Sequence, residues 1–94
     1  MAAARKTVRV RIVGRVQGVS FRVWTRDEAQ SLGLDGWVKN EADGSVAALI
    51  SGPEAEVTRM LERLSIGPPA ASVTQVKTEF AEMPEEFHGF RITR

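Results

Sequence analysis

A chain of 94 residues, 43% apolar and 27% charged, supports one ordered domain around one modest core. Its 13 basic and 12 acidic side chains create no general field to recruit nucleic acid or an anionic membrane, so any anion affinity is local. With no cysteine and one histidine, His88, counting excludes disulfides, thiol nucleophiles, thiolate metal sites, histidine metal clusters and two-histidine acid–base catalysis.

Residues 1–6 hold small side chains and two charges but no apolar stretch of the signal-peptide type, and predict a flexible tail on a cytoplasmic protein. Residues 7–94 are then the single domain. The longest later apolar run, residues 46–50, is far too short to span a bilayer. Over residues 7–13, Val8, Val10 and Ile12 alternate with Thr7, Arg9 and Arg11, the period of a half-buried strand. Residues 21–32 contain neither Gly nor Pro and predict a helix, with Phe21, Trp24, Thr25, Ala29 and Leu32 on its apolar side and Gly33 ending it. Glu28 falls inside that apolar arc and is expected at its edge, reaching solvent; a place near a site is the other reading.

Between strand and helix runs Gly14-Arg15-Val16-Gln17-Gly18-Val19-Ser20-Phe21-Arg22. Glycines at both ends let the backbone curl so that N–H groups converge, Ser20 is a natural N-cap, and the helix start adds positive dipole. Arg22 in the first turn opposes that dipole unless an anion arrives, and its guanidinium is a planar fork suited to phosphate or carboxylate. By itself the corner is equally a structural turn or an anion cradle.

Residues 37–40 and 45–51 predict two short strands joined by Glu41-Ala42-Asp43-Gly44, since Asp-Gly between apolar runs favours a hairpin. Alternation puts Val38 and Asn40 on one face, Trp37 and Lys39 on the other. Asn40 at the strand's end either caps the turn or holds a water. Gly52-Pro53 opens a second helix with Pro at its first position, Glu54 and Glu56 complementing the dipole, and a core stripe of Val57, Met60, Leu61 and Leu64. Gly67-Pro68-Pro69 stops it. Residues 73–80 predict a strand with Val76, Thr78 and Phe80 on one face; an acidic loop follows, and residues 89–93 close the chain as a strand with Phe90 and Ile92 inward. The order β-α-β-β-α-β plus a terminal strand implies a ferredoxin-like α/β (α+β) sandwich, two helices on one face of an antiparallel sheet.

The corner resembles the acylphosphatase signature Gly-x-Val-Gln-Gly-Val-x-Phe-Arg. Gly33-Leu34-Asp35-Gly36-Trp37-Val38-Lys39-Asn40 followed by Asp43-Gly44-Ser45-Val46 is similar to that family's second signature, and Gly67-Pro68-Pro69 and Phe90-Arg91-Ile92 resemble its tail. The likeness implies the same fold and hydrolysis of the carboxyl–phosphate bond of acyl phosphates. It implies Arg22 as the phosphate-binding arginine, Asn40 as the water-orienting asparagine, and the backbone of Arg15, Val16, Gln17, Gly18, Val19 and Ser20 as the phosphate cradle. It implies no cofactor and no metal, a small-molecule acyl phosphate as partner, inorganic phosphate as product and inhibitor, and a monomer that engages neither nucleic acid nor membrane. Glu41 stands where some members have Thr, and Ala47 and Ser51 where many have acids; these departures are expected to alter local charge and not the chemistry. The rival expectation is a non-catalytic phosphate- or anion-binding module on the same fold. Recognition of RNA is disfavoured, because Arg9, Arg11, Ala47 and Leu49 offer no aromatic pair on the open sheet face.

Overall fold

The computed structural model describes residues 4–84 and 87–93. Its elements are β1 (Arg5–Arg15), α1 (Phe21–Ser31), β2 (Asp35–Asn40), β3 (Val46–Pro53), α2 (Glu54–Ile66), β4 (Ser72–Phe80) and β5 (Phe90–Ile92). They form a five-stranded sheet in the order β4-β1-β3-β2-β5, with both helices on one face, a ferredoxin-like α+β fold. The sheet is mixed and not wholly antiparallel as expected: β5 runs parallel to β2, pairing Gly36 with Phe90 and Val38 with Ile92. None of the described helices is long and apolar enough to cross a membrane.

The alternation of β1 places Val8, Val10 and Ile12 in the core beside Val46, Ala48 and Ile50 of β3 and Val38 of β2. The helices cover this face with Phe21, Thr25 and Ala29 from α1 and Val57, Met60 and Leu64 from α2. Burying side chains of this size contributes about 1.5–3 kcal/mol each, far more than helix propensity could supply. Glu28 does lie at the helix edge, where its Oε2 accepts a 2.7 Å bond from Arg63 and ties α1 to α2. On the open face Trp37 is half-buried, with the Arg9 guanidinium 5.7 Å and the Lys39 ammonium 5.3 Å from its ring.

Several boundaries and faces differ from expectation. β1 begins at Arg5, paired with Pro53, and the Ala4 carbonyl accepts from Glu54 N–H at 2.8 Å, so residues 4–6 are not part of a tail as expected; residues 1–3 lie outside the described residues. Pro53 is the N-cap position of α2 and not its first helical residue. In β4, Val76, Thr78 and Phe80 do share one face, paired with Ile12, Val10 and Val8, but Phe80 at the strand's end is 85% exposed, and Val73 is half-buried together with Val76. The register of β4 against β1 shifts between Val13 and Gly14, leaving Thr74 as the extra residue, with its Oγ1 donating to Val13 O at 3.1 Å. This bulge reverses the in–out parity between Val73 and Val76, which alternation alone could not foresee, and leaves the alternation from Val76 to Phe80 intact.

Candidate active site

At the end of β1 the chain turns sharply. Gly14 sits at φ +135°, and a Cβ there would lie 2.1 Å from the Ser72 carbonyl oxygen, so no other residue fits beside the bulge. Gly18 at φ +74° faces open space; glycine is favoured there by backbone conformation and not by crowding. Ser20 also lies in the left-handed region, at φ 59°, ψ 27°, and its side chain makes no capping bond. Ser20 does stand at the N-cap position of α1, but the side-chain bond expected of it is absent, and only its carbonyl joins the helix, accepting from Trp24 N–H at 3.0 Å. A non-glycine residue held there stores about 1–3 kcal/mol of strain, the kind found where a backbone is shaped for a ligand.

The loop is held by what its side chains reach. Val16 is 1% exposed and fully in the core, and Val19 packs partly against it. Gln17 Nε2 donates to Glu41 O and to Ser45 O, both at 2.8 Å. Arg15 is the last residue of β1, exposed and paired with Ser72. Across from the loop, β2 ends at Asn40, on the same face as the buried Val38.

Val16, Gly18, Ser20, Arg22 and Asn40 line one cleft of about 360 Å³, together with Phe21, Val23 and Ile92. Arg15, Gln17 and Val19, expected in the cradle, do not line it. Phe21, Val23 and Ile92 were not among the expected site residues. Val23 follows Arg22 in the first helical turn and could have been suspected, whereas Ile92 arrives through the parallel pairing of β5 with Val38. The Asn40 Oδ1 is buried and has no hydrogen-bond partner among the described residues. It does not cap the turn. That work is done by Asp43, whose Oδ1 accepts from Ser45 N–H at 2.9 Å and Ser45 Oγ at 2.6 Å, and by the Glu41 N–H to Ser45 O bond of 2.9 Å.

The Ser45 hydroxyl and N–H, with Arg11 nearby, hold the Asp43 carboxyl below its usual range. The turn's contribution from this group is accordingly present above the ordinary carboxylate pKa and is lost as pH falls through the depressed one. Among the described residues no three His, Cys, Asp or Glu cluster as metal ligands. A second hollow, about 320 Å³ on the open sheet face, is lined by Arg9, Arg11 and Lys77 but also by Glu41 and Glu79, so its charges are mixed. The cleft at Asn40 differs in pairing a permanent cation with a buried acceptor and a curled backbone. Such a set can grip an anion and place a water against it.

The family model described as acylphosphatase matches residues 8–92. The acylphosphatase of Sinorhizobium medicae is 60% identical over 94 residues, covering all of both chains. The crystal structure of acylphosphatase from Bacillus subtilis superposes with a TM-score of 0.89 at 36% identity, covering 97% of this chain and 100% of that one. The structure of an acylphosphatase from Coxiella burnetii gives a TM-score of 0.88 at 36% identity, covering 95% of this chain and 93% of that one.

Proposed function

The chain belongs to the acylphosphatase family and is a hydrolase of acyl phosphates, and from that premise we propose how its own residues carry out the reaction. The phosphate group binds in the 15–20 loop against backbone N–H groups, with Arg22 neutralising its charge as a bidentate fork. Asn40 Oδ1 accepts a hydrogen bond from the attacking water and aims its oxygen at phosphorus, in line with the leaving acyl oxygen. The new P–O bond forms as the P–O bond to the acyl group breaks. The carboxylate leaves with the electron pair, and the water's proton passes to a phosphate oxygen. The carboxylate is a good leaving group, so positioning and charge neutralisation suffice and no strong base is needed.

The observation that carries this reading is the buried Asn40 Oδ1, without a partner and in one cleft with Arg22 and the loop. A buried acceptor left unpaired costs about 1–3 kcal/mol, and a water seated in the cleft would recover much of that cost. A module that only bound phosphate would have no use for it. Inorganic phosphate, gripped by the same groups, is then both product and competitive inhibitor. Every group invoked belongs to one chain, so the proposed reaction calls on no second copy.

Hydrolysis of a synthetic aryl acyl phosphate in ¹⁸O-labelled water tests the point of attack. The label is expected in inorganic phosphate. Label in the carboxylate would mean attack at the acyl carbon and would remove the role given to Asn40.

A further inference from the structure

Gln17 was expected to offer its backbone to the phosphate, which leaves its side chain free for another role, and that side chain reaches the β2–β3 turn. Its Nε2 donates to two carbonyls, Glu41 O and Ser45 O, each at 2.8 Å, at sequence separations of 24 and 28 residues. Both partners are acceptors, and an amide nitrogen carries two hydrogens, so these bonds use its donor capacity in full. Glu41 directly follows Asn40, and Glu41 and Ser45 are the residues whose N–H···O bond closes the β2–β3 turn. One side chain thus pins the middle of the 15–20 loop to the two ends of the turn that begins at Asn40.

From this geometry we infer that Gln17 is a positioning residue, which sets the distance between the phosphate held by the loop and the water held by Asn40. The inference rests on the role proposed for Asn40. Other restraints hold the two halves of the site less directly. The loop's base is fixed by the Gly14–Val73 and Arg15–Ser72 pairings on β4, and its apolar anchors Val16 and Val19 enter the core. These restraints reach β2 only indirectly, through the shared core that holds Val38 and through β3, whose Val46 pairs with both Ile12 and Asn40. Cutting the Gln17 bonds should therefore let the cradle and Asn40 drift apart while each keeps its own shape. Since misplacing reacting groups by about 1 Å can cost about 100-fold, the loss should fall on the chemical step.

Gln17→Met keeps the length and removes both bonds. It is expected to lower kcat by about 10- to 100-fold, while KM and the inhibition constant of inorganic phosphate move less than about threefold. In the Asn40→Ala background the same change should cost less than about threefold more, because there is no longer a held water to misplace. A loss of phosphate affinity with kcat unchanged would make Gln17 a support of the cradle only and overturn the inference. If Asn40→Ala alone retains full kcat, the water-holding role fails, and the route proposed for Gln17 fails with it. If Asn40→Ala is crippled and Gln17→Met still multiplies its full loss upon it, Gln17 alone is misassigned.

Gln17→Glu gives an answer even where Gln17→Met does not fold. Its carboxylate would face two carbonyl oxygens and repel them, whereas its protonated form donates one bond. Its enzymatic kcat should climb relative to that of the unsubstituted protein as pH falls through the glutamate's raised pKa. A pH profile parallel to the unsubstituted one contradicts the inference.

Discussion

The two helices begin in opposite ways. α2 starts with Glu54 and Glu56 in its first turn and carries Arg63 in its last, so both ends of its dipole are complemented. Its first N–H is also satisfied, by Ala4 O at 2.8 Å. α1 has no acid in its first turn and no base in its last, no side-chain cap, a left-handed Ser20 before it, and Arg22 where the dipole is already positive. Each favourable charge at a helix end is worth about 0.3–1 kcal/mol, and α1 forgoes what α2 collects. The same fold thus contains one helix start arranged for stability and one left uncompensated, as the proposed binding of an anion there requires. The cost to α1 is tolerable because Phe21, Thr25 and Ala29 are buried and hold the helix in place.

The largest effect should come from breaking the anion side of that contrast. Arg22→Lys keeps the charge but loses the planar fork, and is expected to fail nearly as badly as Arg22→Ala, with kcat/KM down about 100-fold or more. Steady-state kinetics on an aryl acyl phosphate decides it. Near-full activity in the lysine variant would reduce Arg22 to a diffuse positive charge.

A smaller effect sharpens the comparison at equilibrium. Without phosphate and at low ionic strength, Glu54→Gln should lower stability by about 0.3–1 kcal/mol, and Arg22→Gln should raise it by a similar amount. Inorganic phosphate at about 100 times its dissociation constant should add about 2.7 kcal/mol to the unsubstituted protein and to Glu54→Gln. It should add far less to Arg22→Gln. Urea unfolding with and without phosphate measures all of these changes. Equal stabilisation of both variants would place the anion elsewhere.

How much of this was legible depended on the range of the interaction involved. The alternation of Val8, Val10 and Ile12 and the stripe of Val57, Met60 and Leu64 were local, and the elements they predict are present. Asn40 was placed on the face of Val38 by strand period alone, and that placement holds. Ser20 was placed correctly at the N-cap, but its left-handed backbone, imposed by the loop, was not legible, and with it the hydroxyl makes no capping bond. The bulge at Gly14, the parallel pairing of β5 and the reach of Gln17 to Glu41 and Ser45 depend on partners far along the chain. Periodicity carries no information about such partners. The roles of Arg22 and Asn40 came from the resemblance, since residue pattern alone left a turn and a cradle equally open.

The central claim is that Asn40 acts on the water and Arg22 on the phosphate. Asn40→Ala tests it most directly, with kcat, the competitive inhibition constant of inorganic phosphate and thermal unfolding measured on one preparation. We expect kcat to fall about 100-fold, as for other lost positioning or charge-stabilising groups. The phosphate constant should stay within about threefold, because the contact matters in the transition state and not in the bound product. Stability should hold, since the Oδ1 atom removed makes no bond within the described residues. A variant with normal kcat and lowered stability would return Asn40 to a purely structural role. A parallel loss of kcat and phosphate affinity would place it on the phosphate, and either result contradicts the division of labour between the two residues.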